Sequence, residues 1–463
     1  MATAAVKIRF GTSGWRAVIA DEFTFDNSRR AVKAIGLHLR SVSASGPVLI
    51  AHDTRFMARE FAREAAWELE EMGFDARLAA HPVPTPVLAF AIRQLGAAGG
   101  LNFTASHNPP KYLGLKFSGA DGAPALPEVT SDIESRITED PGEAAAAREV
   151  ASYDPRPAYL AALRRLVDPG ELEAASLALD FRFGTSAGYL DGFFEGTAMD
   201  LHRLHERPDP LFGGQSPQCS ETELARLSGL VTSRKCRLGL ATDGDADRFG
   251  VLDERGAYVT PNRILALVAW DVFSKTGSRK GIARSVATTQ ALDAVAKHFG
   301  VELFETPVGF KYIGKLLLDG KIAFGGEESA GLTVESHVPD KDGILADVLV
   351  CRAVLSRGGT LSDRLASLER AIGPFSSGRL DLRLSEDARR KLAEARRTPP
   401  DRFAGDLVRG VDATDGVKLN LNPPSWVLFR ESGTEPVVRV YAESRSPRQV
   451  QTLLQAGESF LEG

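Results

Sequence analysis

The chain has 463 residues, of which 43% are hydrophobic and 25% charged, the balance of a soluble globular protein too long for one core. The length suggests roughly three or four domains. With 61 acidic against 56 basic side chains the net charge is −5, which argues against nucleic-acid and anionic-membrane partners; a phosphate-ester site would have to gather its positive charge locally.

Met1 to Phe10 carries no long apolar run before a cleavage site, so no signal peptide is expected. No stretch approaches the ~20 apolar residues of a membrane span. Val48-Leu49-Ile50-Ala51 reads as a buried strand, and Ala58 to Met72 as a helix with Phe61, Ala65, Leu69 and Met72 on one face. Leu101-Asn102-Phe103-Thr104 is strand-like and leads into Ala105-Ser106-His107-Asn108-Pro109-Pro110. The two prolines can continue neither a helix nor a central strand, so the chain turns and presents Ser106 at a strand end. By residue type alone this is a Ser/Asn/Pro turn that need carry no chemistry.

Thr138 to Pro157, with Asp140-Pro141-Gly142 and an alanine run, marks a first boundary. A second βα unit starts at Ser176 to Phe181 and ends near Leu238 to Ala241. A third opens near Arg263 with the helix Ile264 to Phe273. It continues through the strand-like Ile282 to Ala287 and the helices Leu292 to Phe299 and Ile344 to Leu355, and stops at Gly373-Pro374. This is the βα rhythm of mostly parallel sheets. Beyond it, Arg379 to Leu384 and Val417 to Leu421 alternate polar and apolar residues, which predicts half-exposed strands of an α+β domain. Phe10-Gly11-Thr12-Ser13-Gly14 is loosely echoed by Phe183-Gly184-Thr185-Ser186-Ala187, a hint of repeated units. Cys219, Cys236 and Cys351 have neither metal-site nor redox spacing, which suits a reducing cytoplasm.

Three further segments carry candidate chemistry. In Asp243-Gly244-Asp245-Ala246-Asp247-Arg248 the carboxylates alternate and would share one face of an extended segment. All-oxygen ligands suit a hard divalent cation, Mg²⁺ before Zn²⁺. An EF-hand fits the spacing, even to Glu254, but needs glycine where Arg248 stands, and a plain acidic surface turn is a further alternative. Gly325-Gly326-Glu327-Glu328-Ser329-Ala330-Gly331 offers carboxylates and a hydroxyl to sugar hydroxyls, although alone it reads as a solvated loop. Arg430-Glu431-Ser432-Gly433-Thr434-Glu435-Pro436 offers an arginine, hydroxyls and open backbone to a phosphate, or is a β-turn with a surface arginine. Gly184-Thr185-Ser186-Ala187-Gly188 fits a nucleophile elbow, but no Asp and His stand out as its partners.

The serine loop closely resembles that of the α-D-phosphohexomutases, and six motifs follow in that family's order: Phe10 to Arg16, Thr104 to Pro110, Asp243 to Arg248, Thr306 to Lys311, Gly325 to Gly331 and Arg430 to Pro436. The resemblance implies an α/β chain of four domains around a central cleft, three related βα domains (1–150, 151–255, 256–373) and a C-terminal α+β domain (374–463). It implies a reversible shift of a phosphoryl group between carbons 1 and 6 of a hexose. Ser106 would be phosphoserine and hexose 1,6-bisphosphate the intermediate and activator. Asp243, Asp245, Asp247 and the phosphoryl group on Ser106 would hold Mg²⁺. Arg16 would lie near the phosphoserine, and His107 would hold the loop or the phosphoryl group. Lys116 would be the general base, which requires burial or nearby cations to lower its pKa, or else a phosphate contact. Substrate would meet Arg248, the Thr306, Gly309 and Lys311 loop, Glu327 and Ser329. Arg430, Ser432, Gly433 and Thr434 would grip the non-reacting phosphate.

The partner is then a small sugar phosphate, with no nucleic acid and no membrane, for a cytoplasmic monomer or homodimer whose last domain hinges to release substrate. The Glu327-Glu328 pair leans towards glucose, although Ala330 departs from the family's glycine. Phosphomannomutase or phosphoglucosamine mutase activity by the same mechanism is the alternative. A metal-dependent sugar-phosphate hydrolase and a silent sugar-phosphate binding protein are the rivals from other classes.

Overall fold

The structure, a computed structural model, describes residues 6–11, 13–432 and 437–462. The first sheet contains β1 (Trp15–Val18), β2 (Val48–His52), β3 (Ala76–Ala79), β4 (Gly99–Phe103), β5 (Tyr112–Gly119) and β6 (Ala151–Tyr153), in the order β1-β5-β4-β2-β3-β6. Every residue of β2 is buried, because helices cover both faces of this strand. Val48 and Ile50 pack towards the helices Phe25–Ser41 and Ala58–Glu71, while Leu49 and Ala51 join the core containing Val87 and Ile92 of the helix Thr85–Gln94.

The second sheet contains β7 (Ser176–Asp180), β8 (Asp200–Leu204), β9 (Leu238–Thr242), β10 (Phe249–Leu252) and β11 (Tyr258–Val259), ordered β11-β10-β9-β7-β8. The third contains β12 (Gly281–Ser285), β13 (Leu303–Thr306), β14 (Ile322–Glu327) and β15 (Gly331–Val334), ordered β13-β12-β14-β15. All three sheets are mixed. A parallel centre (β4/β2/β3, β9/β7/β8, β13/β12/β14) ends in an antiparallel hairpin, β4/β5, β9/β10 or β14/β15. The three hairpin turns carry Ser106, the three aspartates and the Glu328-Ser329 step, so one corner of each sheet supplies one part of the site.

The motif echo has a different meaning. Phe10 to Gly14 precedes the edge strand β1, whereas Phe183 to Ala187 follows the parallel strand β7, and Thr12 lies outside the described residues. The cores are also less separate than chain length suggests. One apolar cluster runs from Val87 through Leu179 and Leu240 to Ile344 and Leu349. The helix Gly343–Leu355 is buried at every position and is apolar but for Asp347 and Arg352, so it can fill a junction between layers.

The fourth unit contains β16 (Ser376–Arg383), β17 (Arg402–Phe403), β18 (Asp406–Leu407), β19 (Gly410–Asp412), β20 (Val417–Asn420), β21 (Trp426–Glu431) and β22 (Val437–Ser444). β17 and β18 pair separately, and the antiparallel main sheet is ordered β16-β22-β21-β20-β19. Strand alternation divides β21. Val427 and Phe429 join a core with Leu392 and Val450 from the helices Glu386–Arg397 and Pro447–Glu462, while Trp426 and Leu428 pack on Val286 and Ala287 of the third unit. Among the described residues no helix is long and apolar enough to cross a membrane. All three cysteines are free.

Candidate active site

Ser106 is fully buried and sits at φ +51°, a left-handed backbone that costs a non-glycine residue roughly 1–2 kcal/mol. The loop compensates through hydrogen bonds. Thr104 Oγ1 accepts the Ser106 N–H at 2.9 Å. Arg55, which the sequence reading missed, donates to four carbonyls: those of Ser106 (2.7 Å), Asn108 (2.6 Å), Pro109 and Tyr112 (both 2.9 Å). Its Nε is fixed by Asp53 Oδ2 at 3.1 Å. Arg16 Nη1 donates to Asn108 Oδ1 at 2.6 Å, and His107 Nδ1 lies 3.3 Å from Ser106 Oγ. Burial, then the charges of Arg248 and Arg16, hold the His107 imidazole well below its ordinary pKa, so it is neutral.

Ser106 Oγ donates to Asp243 Oδ2 at 3.0 Å. The aspartate loop lies in the β9–β10 hairpin, which removes the EF-hand alternative, and it is not extended as the residue spacing had suggested. A turn with Ala246 at φ +55° gathers the carboxylates instead, bringing one oxygen from each of Asp243, Asp245 and Asp247 within 4.8 Å of one another. Gly244 is required for the approach, since a Cβ there would lie 2.8 Å from the Ser106 carbonyl oxygen. The apparent nucleophile elbow supports this turn. Thr185 N–H donates to the Gly244 carbonyl at 3.1 Å, while buried Ser186 accepts from Thr242 Oγ1 at 2.6 Å.

Lys116, on β5, places Nζ 2.6 Å from Asp245 Oδ2 and 3.1 Å from Asp247 Oδ2. Lys341, a second residue the sequence reading missed, reaches Asp247 Oδ2 at 3.4 Å, and Arg248 Nε lies 3.6 Å from Asp247 Oδ1. Thr85 Oγ1 donates to Asp245 Oδ2 at 2.6 Å. Burial, then Asp247 and Asp245, push the Asp243 carboxyl up to about 8. Burial acts the same way on Asp247, but Lys116, Lys341 and Arg248 outweigh it and hold that carboxyl below the usual range. Lys116 does not show the lowering that a base role requires: burial pulls its pKa down, yet Asp245 and Asp247 together raise it above the ordinary lysine value.

The buried oxygens Asp245 Oδ1 and Asp247 Oδ1 have no hydrogen-bond partner among the described residues. Two such oxygens beside a third carboxylate form a hard, anionic donor set that fits a divalent cation of the Mg²⁺ type.

The Gly325–Gly331 segment adjoins this cluster, with Phe249 N–H donating to the Ala330 carbonyl at 3.1 Å. Glu327 Oε1 accepts the Gly309 N–H at 2.7 Å, and burial with the Glu328 charge pushes its carboxyl up to about 7. Glu328 bonds elsewhere: its Oε2 accepts from Ser285 Oγ and Thr288 Oγ1, both at 3.2 Å. Ser329 is half-buried. Thr306 Oγ1 donates to the Pro307 carbonyl at 3.0 Å, and half-buried Lys311 lies over the Tyr312 ring. In the fourth unit Arg430 Nε donates to Asp415 Oδ2 at 2.8 Å, and Ser432 N–H donates to the Val437 carbonyl at 2.9 Å. Gly433 and Thr434 lie outside the described residues.

The phosphoglucomutase/phosphomannomutase α/β/α domain I family matches residues 7–143, domain II residues 157–256, domain III residues 260–371 and the C-terminal domain residues 388–456. A crystal structure from Thermus thermophilus, provisionally assigned as a phosphomannomutase, is 37% identical, with a TM-score of 0.88 over 99% of this chain and 100% of that one. A Methanothermobacter thermautotrophicus protein provisionally named phosphoglucosamine mutase is 28% identical over 98% of this chain and 97% of its own. The phosphoglucomutase/phosphomannomutase of Thermococcus kodakarensis is 26% identical over 98% of each. Four domain matches in order, over a site that joins a serine, three aspartates and clustered cations, leave one conclusion: the chain belongs to the phosphoglucomutase/phosphomannomutase family of phosphotransfer enzymes, the α-D-phosphohexomutases.

Proposed function

We propose that this enzyme interconverts hexose 1-phosphate and hexose 6-phosphate through phosphorylated Ser106 and a hexose 1,6-bisphosphate. The observation that carries the reading is the 3.0 Å hydrogen bond from Ser106 Oγ to Asp243, which joins the serine turn of one sheet to the aspartate turn of the next. The family supports mutase chemistry. The glucose preference suggested by Glu327-Glu328 gains no support from the site, where Glu328 Oε2 accepts from Ser285 and Thr288 rather than pairing with Glu327. Relatives named for mannose and glucosamine phosphates favour phosphomannomutase or phosphoglucosamine mutase activity instead.

In this reading Asp243, Asp245 and Asp247 hold Mg²⁺, which when bound offsets negative charge on the transferring phosphoryl group. The chain's own residues do the rest. Arg55 and Thr104 fix the serine backbone so that Oγ keeps one direction. Neutral His107 gives Ser106 Oγ an uncharged hydrogen-bond partner. Arg16 and Arg248 balance phosphate charge in a buried cleft, where positioning and electrostatics supply most of the rate. Lys116 holds a proton at Nζ while it faces Asp245 and Asp247, which suits a phosphate contact or delivery of a proton to a departing oxygen; acting as a base requires those carboxylates to turn away. Glu327, its Oε1 held by the Gly309 N–H, would offer its other oxygen to a sugar hydroxyl, with Ser329 two positions on. Lys311, Thr306, Arg430, Ser432, Gly433 and Thr434 would receive the substrate's other end.

The test is a coupled assay of mannose, glucosamine and glucose 1-phosphates with Mg²⁺ and the matching 1,6-bisphosphate. Turnover that vanishes in Ser106→Ala supports the mutase. Stoichiometric release of inorganic phosphate indicates a hydrolase, and binding without turnover of any of the three indicates a silent binding protein.

A further inference from the structure

Arg430 lies on β21 at the alternate position that follows Trp426 and Leu428, the side chains facing the third unit. The oxygen that accepts from Arg430 Nε, Asp415 Oδ2, also accepts the Val308 N–H at 3.0 Å. One carboxylate oxygen therefore ties the arginine of the fourth sheet to the Thr306–Lys311 loop of the third unit. The next amide along that loop, Gly309 N–H, donates to Glu327. Asp415 is itself fixed. Its turn between β19 and β20 is closed by Thr414 N–H donating to Asp412 Oδ1 at 2.8 Å. Gly416, at φ +109°, runs so close to β21 that a Cβ there would lie 2.3 Å from the Phe429 carbonyl oxygen.

A guanidinium is a planar fork, so fixing Nε on one side sets the direction of both Nη groups. When the fourth sheet moves away from the third unit, the Val308 hydrogen bond breaks and Asp415 loses one of its two anchors. Other ties between the units, such as Lys418 Nζ to the Val286 carbonyl at 2.8 Å, do not involve Arg430.

We propose that Asp415 is the positioning residue that aims Arg430 at the substrate's non-reacting phosphate and latches the fourth sheet to the Thr306–Lys311 loop, so that phosphate grip and cleft closure are a single event. The inference rests on the hexose-phosphate mutase reading. Its kinetic consequence is specific. A bisphosphate intermediate held by a loosened arginine escapes before it turns over, and added bisphosphate must replace it.

The experiment is steady-state kinetics with Mg²⁺ and hexose 1,6-bisphosphate for wild type, Asp415→Ala, Asp415→Asn, Arg430→Ala and the Asp415→Ala/Arg430→Ala double variant. In Asp415→Ala the KM for hexose 1-phosphate rises about 10-fold, the size of one charge-assisted hydrogen bond, and the half-saturating bisphosphate concentration rises at least as much. The kcat at saturation falls less than about threefold, because the latch makes no contact with the reacting atoms. Asp415→Asn, which keeps an oxygen acceptor for both donors, lies between. The double variant exceeds Arg430→Ala by less than the Asp415→Ala effect on its own, because Asp415 acts on the phosphate through Arg430 and only its hold on Val308 is independent. The proposal is overturned if Asp415→Ala stays within about twofold of wild type in both constants, or if the two single effects multiply. Should Asp415→Ala fail to fold, Asp415→Asn is judged by the same two constants. Wild type that turns over no hexose phosphate sinks the mutase reading and this inference with it; normal wild-type turnover with unmoved variants sinks the inference alone.

Discussion

Arg55→Met removes the centre of the serine loop while keeping much of the side-chain volume. The Arg55 side chain is completely covered, pairs with Asp53 and donates to four loop carbonyls. Burial raises the Asp53 pKa and the Arg55 charge opposes that rise, so without the arginine the carboxyl shifts further up. Removing one partner of a buried ion pair costs about 3–5 kcal/mol, and the stranded carbonyls place the loss at the upper end. For a unit of this size each kcal/mol corresponds to about 2–4 °C, so the transition that exposes the first sheet falls by roughly 6–20 °C. Because the chain has several units, the readout is hydrogen exchange of amides 104–112 together with urea unfolding. Activity falls further than stability, since a misplacement of about 1 Å at Ser106 Oγ costs on the order of 100-fold in kcat/KM. Arg55→Lys retains charge but lacks the fork that reaches four carbonyls, so it recovers only part of each loss. If Arg55→Met keeps wild-type exchange protection, unfolds within about 1 kcal/mol of wild type and retains full kcat/KM, the loop is held by something else.

Ser106→Ala leaves the Arg55 contacts in place but removes the donor to buried Asp243, so stability falls by about 1–3 kcal/mol, while transfer of label from hexose bisphosphate to protein disappears; a labelled variant would place the phosphoryl group on another residue. The Asp243 carboxyl, raised from 3.8 to about 8, contributes stability that is present below pH 3.8 and is lost as pH rises through about 8. In chelator the enzyme therefore loses stability across that window, and added Mg²⁺ restores progressively more, about 2.7 kcal/mol at a hundredfold excess over Kd. Asp243→Asn should flatten this pH dependence in thermal scans, and a slope unchanged by the substitution assigns it to another group. Trp426→Ala deletes the side chain through which the fourth sheet packs on Val286 and Ala287, at about 3–5 kcal/mol. Small-angle scattering should then show an expanded particle that hexose bisphosphate no longer contracts, whereas a wild-type profile would mean that the interface is held elsewhere.

The elements were legible where periodicity was strong. Val48 to Ala51, Ala58 to Met72 and Arg379 to Leu384 fall within one or a few residues of β2, the helix Ala58–Glu71 and β16. The site's short loops were legible because each packs its chemistry into a few residues. What escaped was everything delivered from a distance. Arg55 acts on a loop some fifty positions later, and Lys341 and Asp415 stand in connecting segments with no local signature. The sequence left Lys116 as base or phosphate contact, because the two carboxylates that raise its pKa face it only after three strands have met. The aspartates were correctly grouped for the wrong geometric reason, since a turn with Ala246 at positive φ does what an extended run would not.

The recurrence of one hairpin corner in three sheets has a consequence for how this enzyme can change. Ser106, the three aspartates and the Glu328-Ser329 step hang from separate scaffolds, each with its own register, so in the proposed reading a new hexose preference can be sought in the β14–β15 turn, provided the Ala330 carbonyl still accepts from Phe249 in the aspartate hairpin. The same partition means that no single unit retains the chemistry on its own: a fragment ending after the first sheet would carry the serine but none of the aspartates that face it.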